Sequence, residues 1–324
     1  MLKIIIKSVS ALENNFRLDK WLHHRELQIP FSHIQKLCRS GQVRVNKKRA
    51  KSSYRLKAGD IIRFPVFQEK TSLENNFSSY SSNDKIVVDQ LVEELLFQDD
   101  NYIILNKPPG LPVQGGSKVK THLTMLFPLI AKKLSIAGKT LYLPHRLDKE
   151  TSGLIIIAKT SLACREISEA FKKKQIYKKY LALCEETPTL SSGKIESYLS
   201  KDKKNKHKRI MLCSNKKGKY ALTFYKCLKK NKSQSSLLEL NPITGRSHQL
   251  RVACQSIGCA IMGDTTYNKN PSKNIKNLML HSWQIIWPAQ KWNFIAPLPG
   301  HFIEQAKEEG FEMSSRLLQN LKKS

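Results

Sequence analysis

Apolar positions recur with two different periods along this chain, and the switches between them outline its elements. Phe31, Ile34, Leu37 and Cys38 fall on one face of a helix. Ser32 and Gln35 stand at capping-box spacing at its start, and Gly41 supplies a stop. An earlier helix opens at Arg17-Leu18-Asp19-Lys20-Trp21-Leu22 and ends near Pro30. Val43 and Val45 then alternate with polar neighbours as in a strand, and Ile61-Ile62 begins another after Gly59-Asp60. Residues 17–65 thus read as one compact unit of helices and strands. The next stretch, 68–85, is polar, Ser/Asn-rich and aperiodic, which predicts a linker.

Beyond about residue 89 short apolar strands predominate, at Tyr102–Leu105, Leu154–Ala158, Tyr180–Cys184, Ala221–Cys227 and Leu237–Leu240. Helices intervene. Ala163, Ile167, Ala170 and Phe171 follow Thr160 with helical spacing, and a second helix is predicted through His248–Ser256. Pro108–Ser117 and Lys201–Asn215 read as surface loops, and no repeat of solenoid period appears.

Charge changes this picture more than size does. The chain has 324 residues, of which 40% are apolar, so it can bury a core in each of two domains. It carries 56 Lys plus Arg against 26 Asp plus Glu, a formal net charge of +30. Such a surplus attracts polyanions and makes nucleic acid the leading partner class. Lysine-rich composition explains part of it, and the Lys201–Arg209 run reads equally as a solvated loop or a phosphate-contacting one. Seven cysteines, without a Cys-x-x-Cys pair, argue against a disulfide framework or zinc site and for a reducing cytoplasm. The apolar start Met1–Lys7 is too short for a signal peptide, and no apolar run approaches the ~20 residues of a membrane span. The expectation is a cytoplasmic protein with no membrane association.

The strongest chemical signal is Pro144-His145-Arg146-Leu147-Asp148-Lys149-Glu150-Thr151-Ser152-Gly153, followed at once by the apolar strand Leu154–Ala158. An acid on a polar turn that feeds a buried strand is held rigidly. On pattern alone, Asp148 could equally be a turn acid that accepts backbone hydrogen bonds. The stretch resembles the His-Arg-Leu-Asp-x-x-Thr-Ser-Gly motif of the Rlu-type family of pseudouridine synthases, whose Asp is catalytic. Further segments resemble that family in order and spacing: Asn106–Val113, Lys179–Leu183, Gly218–Thr223, Thr244–Val252, Leu280-His281 and Ala296–Pro299. The resemblance spans roughly residues 89–303. It implies an α+β protein whose catalytic domain is built on a bent, mainly antiparallel mixed sheet with a central RNA-binding cleft. The chain departs from the usual family pattern at Ala253 and Cys259, where His is common, which bears on RNA contacts rather than on catalysis.

The first unit is similar to the RNA-binding domain of ribosomal protein S-four, through Arg17–Leu22, Ile34–Gly41 and Val43–Asn46. Lys47 replaces the usual turn glycine. This likeness implies RNA contacts from Arg17, Lys20, Lys36, Arg39 and Lys47. It also separates two copies of one tetrapeptide. Arg-Leu-Asp-Lys occurs at 17–20 and again at 146–149, and only the second is expected to be catalytic. Asp19 reads as a first-turn acid favoured by the helix dipole. The expected organisation is a binding domain over residues 1–67, a linker over 68–88 and a catalytic domain over 89–324.

Pseudouridine formation breaks the N1–C1′ bond of uridine, turns the base and rejoins it through C5. The resemblance implies Asp148 as nucleophile toward C1′ or as base on the C2′ proton, without cofactor or metal. It implies that Arg246 pairs with Asp148, and that Tyr180 packs on the target base and assists at C5. Arg146 suits insertion into the gap left by an extruded uridine, with a plain structural ion pair as the other reading. His145 and His248 read as structural, since no ligand cluster surrounds them. The expected substrate is large-subunit ribosomal RNA, and the protein is expected to act as a monomer. Two alternatives stand beside this: a synthase for transfer RNA, and a non-catalytic RNA-binding assembly factor.

Overall fold

The computed structural model describes residues 4–25, 31–65, 80–115, 119–202, 211–213, 218–268 and 274–313. The chain divides into two compact units, Met1–Phe77 and Ser78–Ser324.

In the first unit the order is β1 (Ile4–Ser8), α1 (Leu18–Arg25), α2 (Phe31–Ser40), β2 (Arg44–Val45), β3 (Lys48–Arg49) and β4 (Ile61–Pro65). The strands form a sheet in the order β1-β4-β2-β3, antiparallel at every pairing. Leu18, Trp21 and Leu22 of α1 bury with Ile34, Leu37 and Cys38 of α2 against Val45, Ile62 and Phe64 of the sheet. This is the apolar face read from the sequence. Ser32 is the second residue of α2. Pro30, the expected stop of α1, lies outside the described residues. The β2–β3 hairpin turns on Asn46 and Lys47, at φ 49° and 64°. Asn46 holds the turn by accepting from the Ile61 amide and donating to Asp60, each at 2.8 Å. That anchoring lets a lysine occupy a left-handed position that favours glycine.

The second unit begins with a helix where a linker was expected. Residues 82–88 belong to α3 (Ser82–Glu93), not to a connecting segment. Ser81 and Asp84 form a capping box, the Ser81 hydroxyl accepting from the Asp84 amide at 3.1 Å and Asp84 accepting from the Ser81 amide at 3.0 Å. The Ser/Asn-rich composition concealed a helix start. The chain continues through β5 (Leu95–Gln98), β6 (Tyr102–Lys107), α4 (Leu123–Lys133), β7 (Ser152–Ala158), α5 (Ser161–Lys172), β8 (Tyr177–Cys184) and β9 (Ser192–Lys201). Then come β10 (Met211–Cys213), β11 (Lys219–Lys230), β12 (Ser236–Pro242), α6 (Gln249–Ser256), β13 (Leu280–Trp287), β14 (Trp292–Ile295) and α7 (Gly300–Glu308). β10 falls in the segment 201–215 read as a loop.

Among the described residues one mixed sheet runs β10-β9-β11-β12-β8-β13-β7-β6-β5, with β14 on β13. Only the β13–β7 pairing is parallel; the rest are antiparallel, which places the protein in the α+β class. α6 packs on β9, β10, β11 and β12, while α5 packs on β7. Every residue of β6 and β7 is buried, so these two strands form a rigid floor.

Candidate active site

A pocket opens where the turn before β7, the front of β8 and the β12–α6 connection meet. It is lined by Arg146, Asp148 and Thr151 from the turn, Lys178 and Tyr180 from β8, and Arg246, Gln249 and Arg251 from the third segment.

The turn that carries Asp148 is tied down from below. The Asp148 carbonyl accepts from the Thr151 amide at 3.2 Å, and the Lys149 carbonyl accepts from the Gly110 amide at 3.0 Å. Lys107, fully buried at the end of β6, donates to the carbonyls of Pro108, Leu111 and Lys149 at 2.7, 3.0 and 3.1 Å. Burial pushes its amine down to about 7, whereas three acceptors for three N–H bonds suit the ammonium form. Gly153 has φ 105°, and a Cβ there would collide with the backbone of Ser282 on β13. Glycine at this point of the motif is what lets β7 and β13 run side by side. His145 accepts from the Ile156 amide at 2.8 Å, and burial drives it down to about 3, so it serves as a neutral brace. That agrees with the structural reading of His145.

The β12–α6 connection is organised by Gln249. Its Oε1 accepts from Thr244 at 2.7 Å and from the Arg246 amide at 3.0 Å; its Nε2 donates to the Leu222 carbonyl at 3.0 Å. His248 then adopts a left-handed conformation, φ 54°, just ahead of α6. Its amide points at Asp148 and donates to Oδ2 at 3.3 Å, while its ring bonds the Tyr267 hydroxyl at 2.8 Å. The positive end of α6 therefore faces the carboxylate. Burial lowers the His248 ring below the usual histidine range, against the charge of Asp148.

The structure corrects one expectation here. Arg246 does not pair with Asp148: its guanidinium is exposed at the rim and its Nε donates to the Tyr220 carbonyl at 3.0 Å. The buried arginine of the same motif is Arg251, 7% exposed, whose Nε donates to Asp264 at 2.8 Å and whose plane lies 5.0 Å from the Tyr267 ring. Burial pulls its pKa down, but hydrogen bonding to Asp264 and the charges of Asp264 and Asp148 raise it overall. Two arginines stand five residues apart in Thr244–Val252; Arg246 lies in the exposed connection before α6, and Arg251 lies within α6 and is buried. Tyr180 is buried beside the pocket, and burial, with the charge of Asp148 adding to it, pushes its phenol up to about 12. Arg146 is exposed and donates to Gln114 at 3.3 Å, and it forms no ion pair among the described residues.

In the first unit, Lys20, Lys36, Arg39 and Lys47 are exposed. Arg17 is not among the free cations, since its Nε donates to Asp19 at 3.0 Å in a two-point pair. Asp19 is buried, at 3% exposure, and also accepts from the Lys20 amide at 2.9 Å. Among the described residues no helix is long and apolar enough to cross a membrane.

A mixed, mainly antiparallel sheet, with an aspartate held on a braced turn at a cationic pocket, defines an RNA-modifying enzyme of the pseudouridine synthase class. The chain matches the RNA pseudouridylate synthase family over residues 101–256 and the S4 domain over residues 16–62. It is 37% identical over 274 residues to the ribosomal large subunit pseudouridine synthase C of Rickettsia typhi, covering 82% of this chain and 87% of that one. The protein of that name from Buchnera aphidicola is 34% identical over 304 residues, 89% of this chain and 92% of the relative. Among solved structures, human RNA pseudouridylate synthase domain containing 4 superposes with a TM-score of 0.62 at 29% identity, over 72% of this chain and 99% of that one. The chain belongs to the RNA pseudouridylate synthase family: it is an isomerase that acts on RNA.

Proposed function

We propose that this enzyme converts specific uridines of large-subunit ribosomal RNA to pseudouridine, with Asp148 acting on the ribose of the target. The names of the relatives support the substrate. The observation that carries the chemistry is the setting of Asp148. It is only partly buried, opens to the pocket, and among the described residues receives one main-chain N–H from His248 and no side-chain partner. A carboxylate left unclaimed by side chains on a rigid turn is poised for C1′ or the C2′ proton.

In this reading Arg251 balances the charge of Asp148 from inside α6, a part first expected of Arg246. Arg246 contacts RNA at the rim instead. Tyr180 packs on the base, and its high pKa keeps the phenol protonated as it does so. Arg146, exposed at the mouth, fills the place of the extruded nucleotide. Residues 1–67 form a separate RNA-binding domain whose exposed Lys20, Lys36, Arg39 and Lys47 meet phosphates, and the catalytic domain expected over 89–324 starts earlier, with α3 at Ser82. In this reading the enzyme acts in the cytoplasm and as a monomer.

A pseudouridine map of total RNA from cells with and without the protein tests this. One or more sites in large-subunit RNA are expected to vanish without it. Loss confined to transfer RNA would overturn the substrate assignment.

A further inference from the structure

Four cationic side chains line the pocket, and three have an evident occupation. Arg251 is bound to Asp264, and Arg146 and Arg246 stand exposed at the rim, where phosphates pass. The fourth, Lys178, has none. It lies two residues before Tyr180 on β8, so the two side chains leave the same face of the sheet. Its neighbour Lys179 points to the other face and pairs with Glu239 at 3.7 Å. Among the described residues the Lys178 side chain makes no hydrogen bond or ion pair; its ammonium rests 5.4 Å from the centroid of the Phe171 ring. Burial pushes it down to about 8, and nearby His145 is neutral. A desolvated ammonium facing a cavity without an acceptor costs free energy that a bound anion would recover.

The reaction produces such an anion. When the C1′–N1 bond breaks, both bonding electrons leave with N1, and the uracil carries a negative charge spread onto O2 and O4. The ribose is balanced by Asp148, through an ester at C1′ or by taking the C2′ proton. The base then turns and C5 bonds to C1′, displacing the Asp148 carboxylate from its ester or with the C2′ proton returned by Asp148. C5 then gives up its proton to solvent and N1 takes one, so that atoms and charge balance. No oxidant or reductant enters.

We propose that Lys178 stabilises the detached uracil by placing its ammonium against the ring's carbonyl oxygens. This rests on the pseudouridine synthase reading and adds a residue to it. Phosphate binding fits Lys178 less well than it fits Arg146 and Arg246, because Lys178 sits beside Tyr180 and against Phe171 rather than at the exposed rim.

The test compares single-turnover rates of wild type, Lys178→Met and Lys178→Arg on one RNA carrying either uridine or 5-fluorouridine at the target. Nuclease digestion and chromatography track loss of the starting nucleoside, and Asp148→Asn serves as the inactive control. Fluorine withdraws electrons and stabilises the detached ring without the lysine's help. Lys178→Met is expected to slow uridine conversion by about 100-fold, as loss of one preorganised charge donor does. On 5-fluorouridine the loss should shrink to roughly 10-fold or less, with RNA affinity within about 3-fold and partial recovery in Lys178→Arg. Equal losses on both substrates, or a uridine rate near wild type, overturn the proposal. Should Lys178→Met not fold, Lys178→Gln against Lys178→Arg gives the same substrate ratio. A wild type inactive on uridine would instead sink the synthase reading itself.

Discussion

The tetrapeptide Arg-Leu-Asp-Lys occurs twice, and the two copies have opposite fates. At 17–20 the arginine folds back on its own aspartate, and Asp19 is buried at 3% exposure. At 146–149 the arginine turns away to Gln114, and Asp148 opens to a pocket with one main-chain donor. The difference lies in the path of the chain beyond each copy. Leu18 to Arg25 continue as a helix, and Arg17, just ahead of it, reaches back to Asp19 in its first turn. After Asp148 the chain turns at Thr151 and enters a fully buried strand, so the carboxylate is lifted clear of Arg146. Four identical residues thus yield a buried, paired acid in one place and a pocket-facing one in the other.

The comparison can be broken at several points. Arg251→Met should cost the most among changes that keep both aspartates, on the order of 1000-fold in turnover, because a buried charge beside Asp148 is lost and Asp264 is left unpaired. Combined with Asp148→Asn it should add little, since the two act as a unit. Single-turnover assays of the three variants check this, and additive losses would separate the residues. Arg146→Ala comes next. Its rate should fall by about 100-fold if it holds the space of the extruded uridine, and a mismatched or unpaired target should recover much of that loss. An equal loss on paired and unpaired targets would return Arg146 to a structural part.

A smaller effect is expected from the binding unit. Replacing Lys20, Lys36, Arg39 and Lys47 with Gln should flatten the slope of log affinity against log salt by roughly 3, with turnover at saturating RNA unchanged. An unaltered slope would show that these cations face solvent only.

Much of this was legible in the sequence because it is local. Short motifs singled out Asp148 and Tyr180, and both residues line one pocket. The apolar faces of α2 and α5 are set by spacing, and both helices formed on those faces. Contacts across the chain were not legible. Arg246 and Arg251 are chemically alike, and choosing between them requires knowing where α6 begins, after Arg246 and before Arg251. Lys107 looked like a plain motif residue, yet one of its acceptors is the carbonyl of Lys149, 42 residues away. α3 was missed because its capping serine sits in a run whose composition suggests a linker. Lys178 drew no notice beside Tyr180, since only the pocket reveals that it lacks an anion.

The central claim is that Asp148 performs the chemistry and Asp19 does not, despite their common tetrapeptide. The direct measurement is the yield of pseudouridine in unmodified large-subunit RNA, at saturating RNA, for Asp148→Asn and Asp19→Asn side by side. Asp148→Asn should lower the rate by roughly 10,000-fold or more while RNA binding stays near wild type. Asp19→Asn should turn over as wild type does and show only a melting temperature lower by a few degrees, from the weakened pair with Arg17. Turnover near wild type in Asp148→Asn, or its loss in a folded Asp19→Asn protein, would contradict the account.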